Sequence, residues 1–194
     1  MTSTSPEPAP VGGADLGTEN DNENKFLTFC LGAEEYGVEI LRVREIIGLI
    51  DITPLPRTPE HVKGVINLRG KIIPVIELRT KFGLPPVEYT EATCVIVVDT
   101  IDQESGEHLQ MSVIVDTVSE VLDIRQDRIE PAPRLGSATS AESILGMGKV
   151  EMGETTKVVI LLNIDRVLAD SETASLVADL RASIPSQNPE ARAA

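Results

Sequence analysis

Between residues 25 and 164 the chain consists of short runs rich in Val and Ile, separated by Gly, Pro, Asp or Asn. β-Branched side chains favour extended strands, and the separating residues favour tight turns. Many short strands at close spacing are typical of barrels and sandwiches, so the sequence predicts a mainly β fold. The predicted strands are KFLTFCLG, AEEYGVEI, GVINL, KIIPVIEL, TCVIVVDT, LQMSVIVDTV, SEVLDI, ILGMGKVEM and TKVVILLNI.

Helical patterns are few. The stretch EILRVREIIGLI fits both the helical and the strand period, and we expect one helical turn followed by a strand. NIDRVLAD offers Asn163 as a helix N-cap, and SETASLVADLRASI offers Ser171 as an N-cap with apolar side chains on one face. The second segment is the stronger signal, and it predicts a C-terminal helix over residues 170–184.

The two ends of the chain are polar. Residues 1–24 are Pro, Gly, Ser, Thr, Asn and acidic residues with almost no large apolar side chain, and residues 185–194 are similar. Such a composition cannot bury enough apolar surface to offset chain entropy. We therefore expect a disordered tail over 1–24, a β domain over 25–169, then the helix, and a disordered tail over 185–194.

Charge and hydropathy narrow the class of protein. The N-terminus lacks the basic and apolar regions of a signal peptide, and the apolar runs are too short to span a bilayer. We expect a cytoplasmic protein without direct membrane insertion. The net charge is −14 and aromatic residues make up 3% of the chain. An acidic chain without a stacking platform disfavours nucleic-acid binding.

Residues that carry metal or redox chemistry are sparse. The two histidines, His61 and His108, lie in different polar segments, whereas a metal site needs clustered ligands at fixed spacing. Cys30 and Cys94 each lie in an apolar run and form no CxxC pair. We expect buried, reduced thiols rather than a disulfide, and no metal site.

Signals for catalysis are also missing. There is no G-x-S-x-G motif, and GMGKV at residues 146–150 departs from the phosphate-binding loop pattern. The acidic pair Glu34–Glu35 lies in a predicted turn, where we expect it to be solvated. The sequence therefore favours a non-enzymatic binding module whose function lies on its surface.

One hairpin raises a specific question. In GVINLRGKIIPVIELR, residues 64–79, two apolar runs are broken by a polar segment with Gly70, as in a β-hairpin. Arg69 in that turn is either a solvated residue or a contact for a partner. Pro74 in the second run indicates an edge strand or a bulge.

Several stretches resemble, in order, the motif series of the CheW family of chemotaxis coupling proteins. They are FLTFCLGAEEYGVEILRVREII, TPEHVKGVINLRGKIIPVIELRTKFG, VIVDTVSEVLDI, RIEPAP and ILGMGKV…VVILLNIDRVL. The resemblance runs from Phe26 to Leu168, and KGVINLRGKIIPVIELR is its most specific part. The same module forms the regulatory domain of the CheA histidine kinase, but this chain carries no kinase, phosphotransfer or receiver segment.

The resemblance implies a fold and an activity. The fold would be two intertwined five-stranded SH3-like β-barrels around a shared apolar core. The activity would be that of a scaffold, without enzymatic function or cofactor, bridging the cytoplasmic tips of chemoreceptors to the regulatory domain of the CheA kinase. The chain would be recruited to membrane-associated receptor arrays, where CheW and kinase domains form rings and copies of CheW can contact one another.

The resemblance also assigns site residues. Arg69 is the arginine of the NLRG motif linked to receptor binding, and Glu45 in VREI matches the acidic residue that pairs with it. We therefore predict a Glu45–Arg69 ion pair. The implied receptor-binding residues are Val43, Glu45, Arg69 and Val121, and the implied kinase-binding residues are Ile40 and Leu135.

Each assignment has a plainer alternative. Core packing explains Val43, Ile40 and Val121 about as well as partner contact does, and Leu135 could cap the core from its loop. The family often has an aromatic residue at Leu135 and a basic one at Glu130, so the second kinase-facing surface departs from the pattern. Two other functions stay open: a CheW-like scaffold of a non-flagellar chemosensory pathway, and a small ligand-binding β-barrel or enzyme.

Overall fold

The computed structural model describes residues 22–101, 106–133 and 143–169, together with Thr173 and Ser175. The predicted strands are present within these ranges, and the two-residue strand β9 was not predicted from the sequence. The strands are β1 Lys25–Leu31, β2 Glu34–Glu39, β3 Val43–Gly48, β4 Val62–Leu68, β5 Lys71–Glu77, β6 Cys94–Ile101, β7 His108–Val115, β8 Thr117–Asp123, β9 Ile129–Glu130, β10 Ile144–Met152 and β11 Thr155–Leu162. The helices are α1 Leu78–Lys81 and α2 Ile164–Leu168.

The strands form two sheets. Subdomain 1 is a six-stranded sheet in the order β8-β1-β2-β11-β10-β9, and subdomain 2 is a five-stranded sheet in the order β3-β6-β7-β5-β4. The chain leaves subdomain 1 after β2, builds all of subdomain 2, and returns with β8. This confirms the mainly β fold with two intertwined subdomains. The sixth strand of subdomain 1 is β9.

The two sheets bury their facing sides against each other in a shared core. Leu27, Phe29 and Val38 of subdomain 1 pack there with Ile96 and Val98 of subdomain 2. Successive side chains of a strand point to opposite faces, so Val95 and Val97 of β6 point away from the shared core. They pack inside subdomain 2. Both faces of β6 are thus buried, which explains why its sequence, CVIVV, is a continuous apolar run.

The segment before β4 covers the outer edge of that strand. Thr53 and Val65 exchange two backbone hydrogen bonds of 2.9 Å each. Gly64 has φ 136°, and a Cβ atom there would lie 2.0 Å from the carbonyl oxygen of Thr53. Only glycine therefore lets the two backbones approach so closely.

This arrangement also accounts for Pro74, which lies opposite Val65 in the β4–β5 pairing. The prediction of an edge strand is wrong, because β5 lies between β7 and β4. The backbone N–H and carbonyl of Val65 both form hydrogen bonds with Thr53. Val65 therefore does not need the backbone N–H that Pro74 lacks. The carbonyl oxygen of Pro74 instead accepts a hydrogen bond of 2.8 Å from the Ser112 hydroxyl. The nearby register shift lies on β4, between Val62 and Gly64.

The local predictions for the helical turns are confirmed. Ile40–Arg42 forms a 3-10 turn that leads directly into β3. Asn163 is the N-cap of α2, where its side chain accepts a hydrogen bond of 3.1 Å from the backbone N–H of Arg166. The predicted C-terminal helix lies outside the described residues apart from Thr173 and Ser175, both of which are helical.

The described part of the chain begins at residue 22, shortly before β1. Residues 1–21 and 176–194, which include most of the predicted tails, also lie outside the described residues. The backbone carbonyl of Asn24 accepts a hydrogen bond of 2.8 Å from the backbone N–H of Ile124.

No helix among the described residues is long and apolar enough to cross a membrane.

The acidic pair predicted to be solvated behaves differently. The turn between β1 and β2 is Gly32–Ala33, and Glu34 and Glu35 already belong to β2. Glu35 is 5% exposed and forms an ion pair with Lys157 of β11. The prediction is therefore wrong for Glu35, because the cation that compensates its burial comes from a strand far away in sequence.

The cysteines are free, as predicted, but each thiol lies at an intermediate depth rather than fully buried. The Sγ atom of Cys94 donates a hydrogen bond of 3.2 Å to the carbonyl oxygen of Ala92. The Sγ atom of Cys30 lies 3.6 Å from the Ser119 hydroxyl. Polar contacts therefore satisfy both thiols, although their sequence neighbours are apolar.

A buried ion pair joins the two subdomains at one point. Arg79 of α1 donates from Nη1 to Oδ2 of Asp116 at 2.5 Å, and the backbone N–H of Gly32 donates to the same oxygen at 2.7 Å. Arg79 also donates from Nε and Nη2 to the carbonyl oxygen of Pro85. Asp116 thereby links the β1–β2 turn of subdomain 1 to the helix and loop that follow β5.

Asp116→Ala should lower the free energy of unfolding by about 3 kcal/mol, because it leaves a largely buried guanidinium without its anion. The side chain of Arg79 is only 10% exposed in this pair. Urea denaturation measures the effect. Asp127→Ala is the matched control, since the Arg125–Asp127 pair is 70% and 57% exposed and its loss should leave the midpoint unchanged. Equal effects of the two substitutions would contradict this role for Asp116.

Candidate partner-binding surface

Arg69 lies at the tip of the β4–β5 hairpin. Leu68 pairs with Lys71, so the turn consists of Arg69 and Gly70 alone. Their φ angles are 51° and 83°, both in the left-handed region, as two-residue hairpin turns of type I′ require. The side chain of Asn67 accepts a hydrogen bond of 2.9 Å from the backbone N–H of Gly70. The turn therefore holds Arg69 in a defined backbone conformation at the surface.

The predicted ion pair between Glu45 and Arg69 is present. Nη1 of Arg69 donates to Oε1 of Glu45 at 2.7 Å, and Nη2 donates to Oε2 at 2.8 Å. Two parallel hydrogen bonds fix the plane of the guanidinium as well as its position. The side chain of Arg69 is 75% exposed and that of Glu45 is 26% exposed. The pair therefore ties the hairpin tip to β3 while leaving most of the guanidinium open to solvent.

The ion pair also sets the charge of both groups. The hydrogen bonds from Arg69 lower the pKa of Glu45 below its ordinary value of 4.5. The hydrogen bonds to Glu45 raise the pKa of Arg69. Because the folded-state pKa of Glu45 is the lower one, the pair favours folding above the ordinary glutamate pKa. That contribution disappears as the pH falls through the lowered value, so the pair is ionised at neutral pH.

Two exposed aliphatic side chains lie on the strands that carry the pair. Ile46 follows Glu45 on β3 and is 43% exposed, and Ile72 lies opposite Asn67 in the hairpin and is 40% exposed. Successive side chains of a strand point to opposite faces, so Ile46 points away from the face that carries Glu45. The sequence pattern alone gave no sign of these two isoleucines, because alternation predicts a strand without saying which face a partner covers.

The other two residues assigned to receptor binding lie on different sheets. Val43 lies on β3, two residues before Glu45, and packs partly against the shared core. Val121 belongs to β8 of subdomain 1, opposite Leu27, and is 47% exposed. Val43 therefore has a packing role as well, whereas Val121 has a free side chain to offer.

Of the two residues assigned to kinase binding, Ile40 and Leu135, only Ile40 lies among the described residues. Ile40 is half-buried in the 3-10 turn and packs against the shared core. Leu135 lies outside the described residues. Leu41, which sequence reasoning missed, is 62% exposed beside Ile40. A helical turn points consecutive side chains in different directions, and this could have indicated that only one of the two is buried.

Two further ion pairs hold this turn in place. Nη2 of Arg42 lies 2.7 Å from Oδ2 of Asp165 at the start of α2, and Arg44 pairs with Asp99 of β6. The segment that presents Leu41 is therefore fixed to both neighbours. Glu130, which departs from the family pattern, pairs with Lys149 of β10 at 2.6 Å, so a basic residue stands beside it on the adjacent strand.

Glu77 is a buried carboxylate whose pKa is shifted by contacts within the fold. Burial alone would raise the pKa of Glu77, but hydrogen bonds from Thr80, Tyr89 and Lys63 outweigh it and lower the pKa. Burial and the charge of Glu77 in turn raise the pKa of Tyr89. The described residues contain no group of three or more His, Cys, Asp and Glu side chains that could hold a metal ion.

Arg69→Ala should raise the pKa of Glu45 back toward its ordinary value, because it removes both hydrogen bonds that favour the carboxylate. NMR titration of the Glu45 side-chain carboxyl carbon measures this shift. Lys71→Ala is the matched control, since it removes a cation from the same hairpin without touching Glu45. A Glu45 pKa that stays low in Arg69→Ala would show that the ion pair does not set it.

Comparison with known proteins places this geometry in a family. The CheW-like domain family matches residues 25–172. The chemotaxis protein CheW of Klebsiella aerogenes is 41% identical over 150 residues, covering 77% of this chain and 84% of that protein. The chemotaxis protein CheW of Helicobacter pylori is 35% identical over 152 residues, covering 77% and 86%.

A solved structure agrees. The crystal structure of the scaffolding protein TtCheW from Thermoanaerobacter tengcongensis superposes with a TM-score of 0.66 at 32% sequence identity, covering 77% of this chain and 95% of that one. Sequence and fold lead to the same assignment. This chain belongs to the CheW family.

Proposed function

We propose that this chain is a non-enzymatic adaptor that couples the cytoplasmic tips of chemoreceptors to the regulatory domain of the CheA histidine kinase. Membership of the CheW family supports the general role, since the relatives are named chemotaxis proteins and the solved relative is described as a scaffolding protein. The chain would act in the cytoplasm, recruited to receptor arrays. There, rings of CheW and kinase domains would hold it in place.

The observation that carries the proposal is the fork between Arg69 and Glu45. It uses one N–H of each terminal nitrogen of Arg69, so the Nε–H and the second N–H of each terminal nitrogen are not part of it. Because Glu45 balances the charge, the site attracts a partner through oriented donors more than through net charge. A partner with carboxylate or carbonyl acceptors fits this surface.

The receptor-binding residues we propose are Val43, Glu45, Arg69 and Val121. Arg69 donates hydrogen bonds to the receptor, Glu45 holds its guanidinium in plane, and Val121 provides apolar contact. Val43 supports β3 from the shared core, and its exposed part completes the contact. A docking site built from rigid strands, with its arginine already oriented, loses little side-chain entropy on binding.

For the kinase, we propose the surface around the 3-10 turn, with Ile40 and Leu135 as the assigned contacts. Ile40 is half-buried, so its exposed neighbour Leu41 would supply much of the apolar area. The ion pairs of Arg42 and Arg44 hold the turn rigid. This surface and the Arg69 hairpin tip are different parts of subdomain 2 and the segment that enters it, so one copy can bind both partners together.

Arg69→Glu should weaken receptor binding by about tenfold or more, because it places a carboxylate against Glu45 and removes the donors. Co-sedimentation with vesicles carrying receptor cytoplasmic fragments, in the presence of the kinase, measures the loss. Arg125→Glu is the control, as Arg125 is an exposed arginine paired only with a near neighbour in sequence. If the wild-type chain failed to bring receptor and kinase down together, the adaptor function would be wrong.

Leu41→Asp should weaken binding to the isolated kinase regulatory domain by about tenfold and leave receptor binding unchanged, because it puts a charge into an apolar contact. Isothermal titration with each partner separates the two effects. Val87→Asp is the control, since Val87 is 50% exposed in a different loop. Kinase binding that survives Leu41→Asp at wild-type strength would move the contact away from this turn.

A further inference from the structure

Arg69 occupies a backbone conformation that its residue type disfavours. Among the described residues, only Arg57 and Arg69 have a positive φ without being glycine. The Cβ atom of an L-residue crowds its own backbone in the left-handed region, and Asn is the residue other than Gly that enters it most readily. For the first position of such a turn, sequence preference strongly favours Asn, Asp or Gly. The turn therefore carries a residue that its local geometry would not select.

Gly70 shows what the turn alone requires. A Cβ atom added to Gly70 would meet nothing within 4 Å, so only its φ of 83° calls for glycine. The turn thus follows local preference at its second position and departs from it at its first. A local departure at an exposed tip indicates that the side chain is kept for another reason. The fork with Glu45 is that reason within this chain, and the proposed receptor contact is the reason outside it.

We infer that Asn67 is the positioning residue that holds Arg69 ready for the receptor, an inference that rests on the proposed function. The Asn67 side chain accepts the hydrogen bond from Gly70 N–H at 2.9 Å and so links β4 to the second residue of the turn, across Arg69. The next residue, Leu68, packs partly against the interior of subdomain 2 and anchors the same strand end. Arg69 is thus held at its backbone by Asn67 and at its guanidinium by Glu45.

Loss of the Asn67 acceptor acts through Arg69. Asn67 and Gly70 are both exposed, so water replaces the lost hydrogen bond and the fold is little affected. The backbone of Arg69 can then relax to a negative φ, where the side chain leaves in a different direction and the fork with Glu45 opens. Receptor binding then becomes weaker, because re-ordering the hairpin tip costs conformational entropy.

The test compares Asn67→Ala, Asn67→Asp and the wild-type chain. Asn67→Ala should raise the Kd for a receptor cytoplasmic fragment about fivefold, roughly 1 kcal/mol, at an unchanged Tm. It should also weaken the strong intraresidue HN–Hα NOE of Arg69 that a positive φ produces, and raise the pKa of Glu45. Asn67→Asp keeps the acceptor and should restore both the NOE and the Kd to within about twofold of wild type.

Arg69→Asn provides the complementary variant, because it creates the Asn-Gly pair that the turn prefers. It should keep or raise the Tm while losing receptor binding. The inference is overturned if Asn67→Ala keeps the NOE, the low Glu45 pKa and wild-type affinity. If the wild-type chain binds no receptor fragment, the adaptor function falls, and the NOE and the Glu45 pKa still decide whether Asn67 positions Arg69.

Discussion

The shared core determines the rest of the molecule, because each sheet needs the other to bury its apolar face. On β6, Ile96 faces the shared core while Val97 faces the interior of subdomain 2. Packing on both faces fixes the register of every strand paired with β6. In β3 this register places Glu45 opposite Val97, and a slip of one residue would turn Glu45 to the other face of the sheet. Packing of the core therefore determines whether Glu45 lies within reach of Arg69.

Two arginine–carboxylate pairs in this chain differ in how deeply their guanidinium groups are buried. The Arg79–Asp116 pair is largely buried and gathers backbone groups from both subdomains. The Glu45–Arg69 pair has equally good geometry, but its guanidinium faces solvent. Exposed pairs contribute little to folding stability, so the value of the second pair lies in the orientation it gives to Arg69. Arginine–carboxylate pairing thus joins the two subdomains in one place, and in the other it orients Arg69 for the proposed receptor contact.

Sequence reasoning predicted the parts of the fold that depend on local pattern. Strand periodicity located the strands, and the cap at Asn163 could be read from a single side chain. The errors concern contacts between distant segments. Glu35 looked solvated because its cation, Lys157, is supplied by β11, and Pro74 looked like an edge residue because Thr53 takes over the hydrogen bonds of Val65. Neither of these distant contacts can be recognised from the sequence around Glu35 or Pro74.

The site shows the same division. The family motif identified Glu45 and Arg69 as partners, and the structure brings them together. Periodicity could indicate that only one of Ile40 and Leu41 is buried but not which one, and it could not reveal the role of Asn67. Whether an apolar residue is buried depends on packing across the two subdomains, and the strain at Arg69 appears only in its backbone angle. Leu135 lies outside the described residues, so its contact to the kinase stays a prediction.

We propose that Glu45 and Arg69 act as one unit in receptor recognition. A double-mutant cycle with Glu45→Ala, Arg69→Ala and the double variant, measured as Kd for a receptor cytoplasmic fragment, tests it most directly. We expect strong non-additivity: each single substitution should lose nearly as much affinity as both together. Losses that simply add would contradict it, because each residue would then bind the receptor independently of the other.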